Sequence, residues 1–221
     1  MTAENAEAVF NDARALIEIG QRVHEAGLVP ASAGNLSART AGGIWVTGRR
    51  ARLGELTPSD LYFIHDDGRV EGSGEAGPTS ESQLHRAVHA VRNTRFVVHT
   101  HSKAAVAASL LCNELPNVHY TAAMIGDVIP VVDYEPFGSE ELAFAVGRAF
   151  SAGRNGAVLR HHGAVTIGDS LTQAVDRAIL LDWLADLSYS ALASGSTRRL
   201  SPEQMAHAAE RMRVQKYSTE E

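Results

Sequence analysis

The chain has 221 residues, 44% hydrophobic and 21% charged, which suits one large domain, or one domain with a short tail, able to bury a core around a rigid site. A formal net charge of −6 and a pI near 5.9 argue against a general nucleic-acid binder, which would be basic. The single cysteine, Cys112, excludes an internal disulfide and a thiolate metal cage, and its apolar surroundings suggest a buried structural thiol.

Taken in chain order, Asn5 to Ala26 carries Val9, Phe10, Ala13, Leu16, Ile17 and Val23 at helical spacing, with Gly27 as a stop. After the loop Ser32-Ala33-Gly34-Asn35, short β-type runs follow at Leu36–Ala38, Ile44–Val46 and Leu61–Ile64. Asp66-Asp67-Gly68 then makes a hairpin-type turn into another short strand. From Thr79 the period changes: Leu84, Ala87, Val88 and Val91 line a helix starting near Ser80. Phe96–His99 reads as a buried strand, Lys103–Leu111 as an Ala-rich helix and Val128–Val132 as a strand. Ser139 can cap a helix running to Phe150. Ala157–Leu159 and Ala164–Ile167 form a strand pair flanking His162. A long helix follows from Leu171 to about Leu192, and Ser201-Pro202-Glu203 opens a last one, so that about 200–221 is a C-terminal helix and tail. The expected fold is a single α/β domain over 1–221, with hairpin signals that speak against an all-parallel sheet. No run approaches about eighteen consecutive apolar residues, so no membrane span is expected. The acidic start Met-Thr-Ala-Glu-Asn does not look like a signal peptide, which leaves the cytoplasm as the expected compartment.

The chemistry concentrates in Glu81, His99, His101 and His162. One carboxylate and three imidazoles suit a borderline divalent cation such as zinc. Alternate residues of an extended strand point the same way, so His99 and His101 can reach one ion. Gly163 after His162 permits close approach, and Glu81 falls in the first turn of the expected helix, where the dipole favours a carboxylate. With ten histidines in the chain chance clustering is real, and His24, His65, His85, His89 and His207 are taken as solvent-facing or structural.

These residues sit within a longer ordered series: Ala33-Gly34-Asn35-Leu36-Ser37-Ala38-Arg39, Thr47-Gly48, Thr79-Ser80-Glu81, Val98-His99-Thr100-His101, Val118-His119-Tyr120, Phe137-Gly138-Ser139-Glu140-Glu141-Leu142 and His161-His162-Gly163. The series resembles the class II aldolase/adducin family, and within it the L-fuculose-1-phosphate aldolase group. The resemblance implies a three-layer αβα fold with a mixed, largely antiparallel sheet. It implies zinc, or another divalent metal such as Mn, Co or Fe, on Glu81, His99, His101 and His162, with His161 a neighbour only. It further implies a phosphate pocket of Asn35, Thr47, Gly48, Thr79 and Ser80. Small hydroxyls, an amide and a helix N-terminus suit an anion, although Thr79 and Ser80 also suit a helix cap.

By the same resemblance Glu81 is a ligand at rest and the acid/base in turnover, Tyr120 reaches in from a neighbouring subunit, and Tyr217 closes over the site from the tail. The implied enzyme is a homotetramer with its site at the subunit interface. It splits a ketose 1-phosphate, of the L-fuculose or deoxy-pentulose kind, into dihydroxyacetone phosphate and an aldehyde. Three departures bear on the substrate: Ser82 where relatives carry tryptophan, Trp45-Val46 before Thr47, and a longer, basic loop with Arg49, Arg50 and Arg52. That loop reads either as solvated surface or as a site for a second anionic group. A decarboxylase of a 3-oxo acid phosphate is therefore the alternative. A 4-epimerase, a dehydratase or a non-catalytic adducin-like interaction module stands further off.

Overall fold

A computed structural model describes residues 3–196 and 198–215 of the chain. Tyr217, expected to close over the site, lies outside the described residues. Helix α1 (Ala3–Glu25) ends at Gly27, whose φ of +74° closes the helix in the left-handed conformation. The strands β1 (Asn35–Thr40), β2 (Gly43–Thr47), β3 (Leu61–His65) and β4 (Val70–Glu71) then form an antiparallel meander. Helix α2 (Ser82–Val91), strand β5 (Phe96–Thr100) and helix α3 (Lys103–Ser109) come next. The short β6 (Glu114–Leu115) and the 3₁₀ segment Tyr120–Met124, neither signalled by sequence period, lead to β7 (Ile129–Val132). The chain continues through α4 (Glu140–Ser151), β8 (Gly156–Leu159), β9 (Gly163–Gly168), α5 (Leu171–Ala193) and α6 (Pro202–Val214).

Among the described residues the strands form one sheet in the order β4-β3-β2-β1-β5-β9-β8-β7-β6. Every pairing is antiparallel except β7 with β8. Helices α1, α3 and α5 cover one face and α2 with α4 the other, which gives the three-layer αβα arrangement with a mixed, largely antiparallel sheet. The central strands β5, β8 and β9 are buried along their whole length because both faces are covered. Alternation sorts their side chains: Phe96 and Val98 join the core under α1 and α5, while Val97, Leu159 and Val165 join that under α2 and α4. Full burial of side chains such as Phe96 and Phe150 stabilises the layers by about 1.5–3 kcal/mol each.

Two features differ from the sequence expectation. Helix α2 begins at Ser82, so Glu81 is its N-cap and lies outside the first turn. The reason is local: the Thr79 hydroxyl accepts the Glu81 N–H at 3.2 Å, and Glu81 sits in the bridge region at φ −100° and ψ 18°. Cys112 is half-buried, its thiol donating to the Ala108 carbonyl at 3.3 Å, and burial raises its pKa.

Candidate metal centre

The four residues singled out in the sequence converge where α2, β5 and the β8–β9 turn meet. One ligand atom from each of Glu81, His99, His101 and His162 lies within 4.8 Å of all the others. His99 Nε2 is 3.2 Å from Glu81 Oε2, His101 Nε2 is 3.1 Å from His99 Nε2, and His162 Nε2 is 3.3 Å from Glu81 Oε1. A tetrahedral shell with bonds of about 2.0–2.1 Å spaces its donors by about 3.4 Å, so the set has the right size for one cation.

Each candidate ligand is placed by its own element. His99 stands on β5 with its ring fully buried. Its Nδ1 lies 3.0 Å from the Ala164 carbonyl, which only accepts, so Nδ1 carries the proton and Nε2 offers a lone pair to the cluster. His101 follows the end of β5, where Ser102 turns the chain into α3: its hydroxyl accepts the Ala105 N–H and donates to Asp182 of α5. His162 closes the three-residue turn between β8 and β9. Arg160 clamps that turn by donating to the carbonyls of Ser109 and Cys112 and, at 2.8 Å, to Asn113 Oδ1. A Cβ on Gly163 would lie 2.0 Å from the Thr100 carbonyl, so only glycine lets β9 come this close to the end of β5. His161 takes the left-handed φ of +58° in the same turn and is outside the cluster, its ring 6.2 Å from that of Tyr134.

Electrostatics single this cluster out. Burial alone would raise the Glu81 carboxyl, but His99, His162 and the Asn35 amide overcome it and hold the group well below the usual carboxylate range. Burial, followed by the neighbouring histidines, pushes His101 and His162 down to about 4. Glu81 Oε1 is buried with no hydrogen-bond partner. A buried ionised oxygen facing unprotonated imidazole nitrogens is unfavourable without a positive charge between them, and a divalent cation on these donors would supply one. The residues present therefore fit a metal ion.

Beside the cluster opens a cavity of about 550 Å³ that Glu81, His101 and His162 share with Asn35, Gly48, Thr79 and Ser80. Of the residues expected to hold phosphate, Thr47 is the exception. It is fully buried behind the wall, with its hydroxyl accepting the Leu36 N–H and its carbonyl accepting the Thr79 N–H. The Gly48 N–H is committed to the Asp60 carbonyl at 2.6 Å. The Asn35 amide donates to Glu81 Oε2 at 2.8 Å and keeps its second hydrogen. Arg49 and Arg50 line the outer wall as exposed residues, Arg50 at a left-handed φ of +62°, whereas Arg52 faces Glu55 at 3.9 Å. Tyr120 lines a different cavity, of about 300 Å³, together with α6. Its ring packs on His119, which packs edge-on against Trp183.

Sequence reasoning missed two histidines beside the centre. His85 and His89, grouped with the solvent-facing or structural ones, are buried at 0% and 4% exposure and hydrogen-bonded to Asn35 and Ser37. The signal that could have found them is their spacing of four from Glu81, which puts all three on one side of α2.

The model of the Class II Aldolase and Adducin N-terminal domain family matches residues 14–189. The chain belongs to this family. Its relatives include the 5-methylthioribulose-1-phosphate/5-deoxyribulose-1-phosphate aldolase of Rhodospirillum rubrum, 31% identical over 201 residues that cover 90% of each chain. The L-fuculose phosphate aldolase of Escherichia coli K12 is 32% identical over 205 residues, 91% of this chain and 94% of the other. A solved L-fuculose 1-phosphate aldolase superposes with a TM-score of 0.85 at 26% identity, covering 92% of this chain and 96% of that one. Class II aldolases are lyases, and this class II aldolase-family chain carries a Glu/His₃ cluster that could bind the divalent metal the class uses. Among the described residues no helix is long and apolar enough to cross a membrane.

Proposed function

We propose that this chain is a zinc-dependent aldolase that reversibly cleaves a ketose 1-phosphate, L-fuculose 1-phosphate or a 5-deoxy-pentulose 1-phosphate, into dihydroxyacetone phosphate and an aldehyde. The observation that carries this reading is the unpartnered Glu81 Oε1 beside three imidazoles, at the edge of a cavity whose other wall offers Asn35, Thr79, Ser80 and two arginines. The names of the two relatives supply the two sugars.

Glu81, His99, His101 and His162 would hold the ion. A bound zinc ion supplies Lewis-acid stabilisation for the negative charge that develops on the three-carbon fragment as the C3–C4 bond breaks. Ser80, exposed at the start of α2, together with Thr79 and the free Asn35 hydrogen, would hold the phosphate; Thr47 and Gly48 shape the wall from behind. In the condensation direction Glu81, ionised at rest, takes a proton from C3 of dihydroxyacetone phosphate. A phenol then donates a proton to the aldehyde oxygen as the carbon–carbon bond forms, and cleavage reverses both transfers. Tyr120 lines a different cavity from the one beside the metal cluster of its own chain, which supports its acting on a neighbouring subunit's site; the homotetramer with shared sites is proposed from the family resemblance. Tyr217 is proposed to cover the site.

A decarboxylase of a 3-oxo acid phosphate is the second reading. It is favoured by Arg49 and Arg50, whose guanidinium groups suit a carboxylate at the outer wall. A screen of ketose 1-phosphates and oxo-acid phosphates with the zinc-loaded protein, scoring aldehyde, dihydroxyacetone phosphate and carbon dioxide, decides between the two. Dihydroxyacetone phosphate with aldehyde supports the aldolase; carbon dioxide without either sinks it.

A further inference from the structure

Strand β1 and helix α2 face each other along a polar seam. On β1, Asn35 and Ser37 point to the same side, two residues apart; on the α2 side, Glu81, His85 and His89 recur every fourth residue. Two strand residues advance about 6.6 Å and four helix residues about 6 Å, so the two rows stay in step and interdigitate. The result is an unbroken chain of hydrogen bonds. Asn35 Nδ2 donates to Glu81 Oε2 at 2.8 Å, and Asn35 Oδ1 meets His85 Nε2 at 2.6 Å. His85 Nδ1 meets the Ser37 hydroxyl at 2.7 Å, and that hydroxyl meets His89 Nε2 at 2.9 Å. All five residues are less than 7% exposed.

The direction of every bond follows from the first. An ionised Glu81 only accepts, so the Asn35 amide must turn its nitrogen toward the carboxylate and its oxygen toward His85. That oxygen requires a proton on His85 Nε2, which leaves Nδ1 to accept from Ser37, whose oxygen then accepts from His89 Nε2. A side-chain amide can turn over with little change in shape, and only its partners decide which end points where. Here the anchored oxygen is Oε2, and the oxygen left without a hydrogen bond is Oε1, which faces His162.

We propose that His85 is a positioning residue for the metal centre: acting through Asn35, it fixes the orientation of the Glu81 carboxylate and thereby selects Oε1 as the oxygen presented to the ion. This rests on the reading of Glu81, His99, His101 and His162 as metal ligands. His85 is neither one of the four cluster residues nor among those that line the cavity; it meets the lining only through Asn35. Its influence runs along the seam, as that of hydrogen-bond partners behind metal ligands generally does.

The test compares zinc affinity of the apo protein, by competition with a chelator, with kcat, KM and thermal midpoint. In His85→Leu the donor to Asn35 is lost, and zinc affinity is expected to fall about 10- to 100-fold, with kcat reduced and KM for the ketose phosphate within about twofold. In His85→Gln the terminal amide can again donate to Asn35 Oδ1, and affinity is expected to return to within a few-fold of wild type. A purely structural role predicts a lowered thermal midpoint with unchanged zinc affinity in the folded protein, or equal damage in both variants; either result overturns the proposal. If His85→Leu does not fold, Ser37→Ala carries the test, because removing the hydroxyl frees His85 to move its proton to Nδ1. A measurable loss of zinc affinity supports the relay, and wild-type affinity refutes it. Wild-type protein that takes up no zinc sinks the metal centre and the relay together, whereas wild-type uptake with unaffected variants sinks the relay alone.

Discussion

Asn35 stands directly opposite His99 across the β1–β5 ladder. One of these neighbours anchors Glu81 and the other offers its ring nitrogen to the same carboxylate. A slip of one residue in this register would turn one of the two side chains to the α1/α5 face and part it from the other, so the pairing of two strands far apart in the chain brings the centre together.

Removing one imidazole should open the centre. His101→Ala is expected to weaken zinc binding by more than about 100-fold, since loss of a ligand exceeds the 10- to 100-fold cost of losing a partner behind one. Aldolase activity should fall in parallel. Full metal content with full activity would show that His101 is no ligand.

The acid/base role proposed for Glu81 separates from its proposed role as a ligand in Glu81→Gln, which keeps the shape but cannot take a proton. Exchange of the C3 proton of dihydroxyacetone phosphate with solvent should slow by about 10²- to 10⁴-fold. Near-normal exchange would assign the proton transfer elsewhere.

Tyr120→Phe should slow aldehyde condensation more than that exchange, because only the first step needs the phenolic proton. Mixing Glu81→Gln and Tyr120→Phe chains under conditions that exchange subunits should recover part of the activity, as each mixed interface can pair one intact Glu81 with one intact Tyr120. Mixtures as inactive as their parents would place both groups in one chain.

Gly163→Ala puts a methyl group 2.0 Å from the Thr100 carbonyl and forces β9 away from the end of β5. A loss of about 2–4 kcal/mol in folding stability is expected, with weaker metal binding because His162 moves with the turn. Denaturant melts with and without zinc read both effects; unchanged midpoints would contradict the packing described.

The apo protein should lose stability in acid. Burial holds His85 and His89 down to about 3, while the same side chains in the unfolded chain titrate near 6.5. Above pH 6.5 both states are neutral and these rings contribute nothing. Between 6.5 and about 3 the unfolded chain takes up protons that the folded chain refuses, so stability falls as pH falls, by up to about 1.4 kcal/mol per pH unit for each histidine. Glu81 acts in the same direction below its ordinary value of 4.5, since its folded pKa is depressed. Urea midpoints of chelator-treated protein at pH 7, 6 and 5 should decline in that order, and a flat series would exclude neutral buried rings.

Much of this was legible in the sequence, for reasons that differ by residue. His99-Thr100-His101 sits on a strongly apolar run, so strand and ligand spacing could be read together. Ser139, Ser170 and Ser201 cap their helices by accepting the N–H three residues on, a local effect that sequence shows well. The turn that keeps Glu81 out of α2 is held by the Thr79 hydroxyl, and propensity cannot see that choice. Thr47 reads as a cavity hydroxyl until its surroundings are known: it is fully buried, with its oxygen accepting the N–H of Leu36, which only the β1–β2 hairpin brings near. His85 and His89 were hidden because a buried histidine and a surface one look alike until the strand that receives them is in place.

The central position of β5 bears on how the molecule is made. Its partner on one edge, β1, is synthesised long before it, and its partner on the other, β9, long after. His162 arrives with the β8–β9 turn, so a nascent chain that has already exposed His99 and His101 still lacks a closed binding site. The four side chains of the cluster can therefore come together only when the late strands dock, so the candidate metal centre is completed by the last part of the sheet to be made.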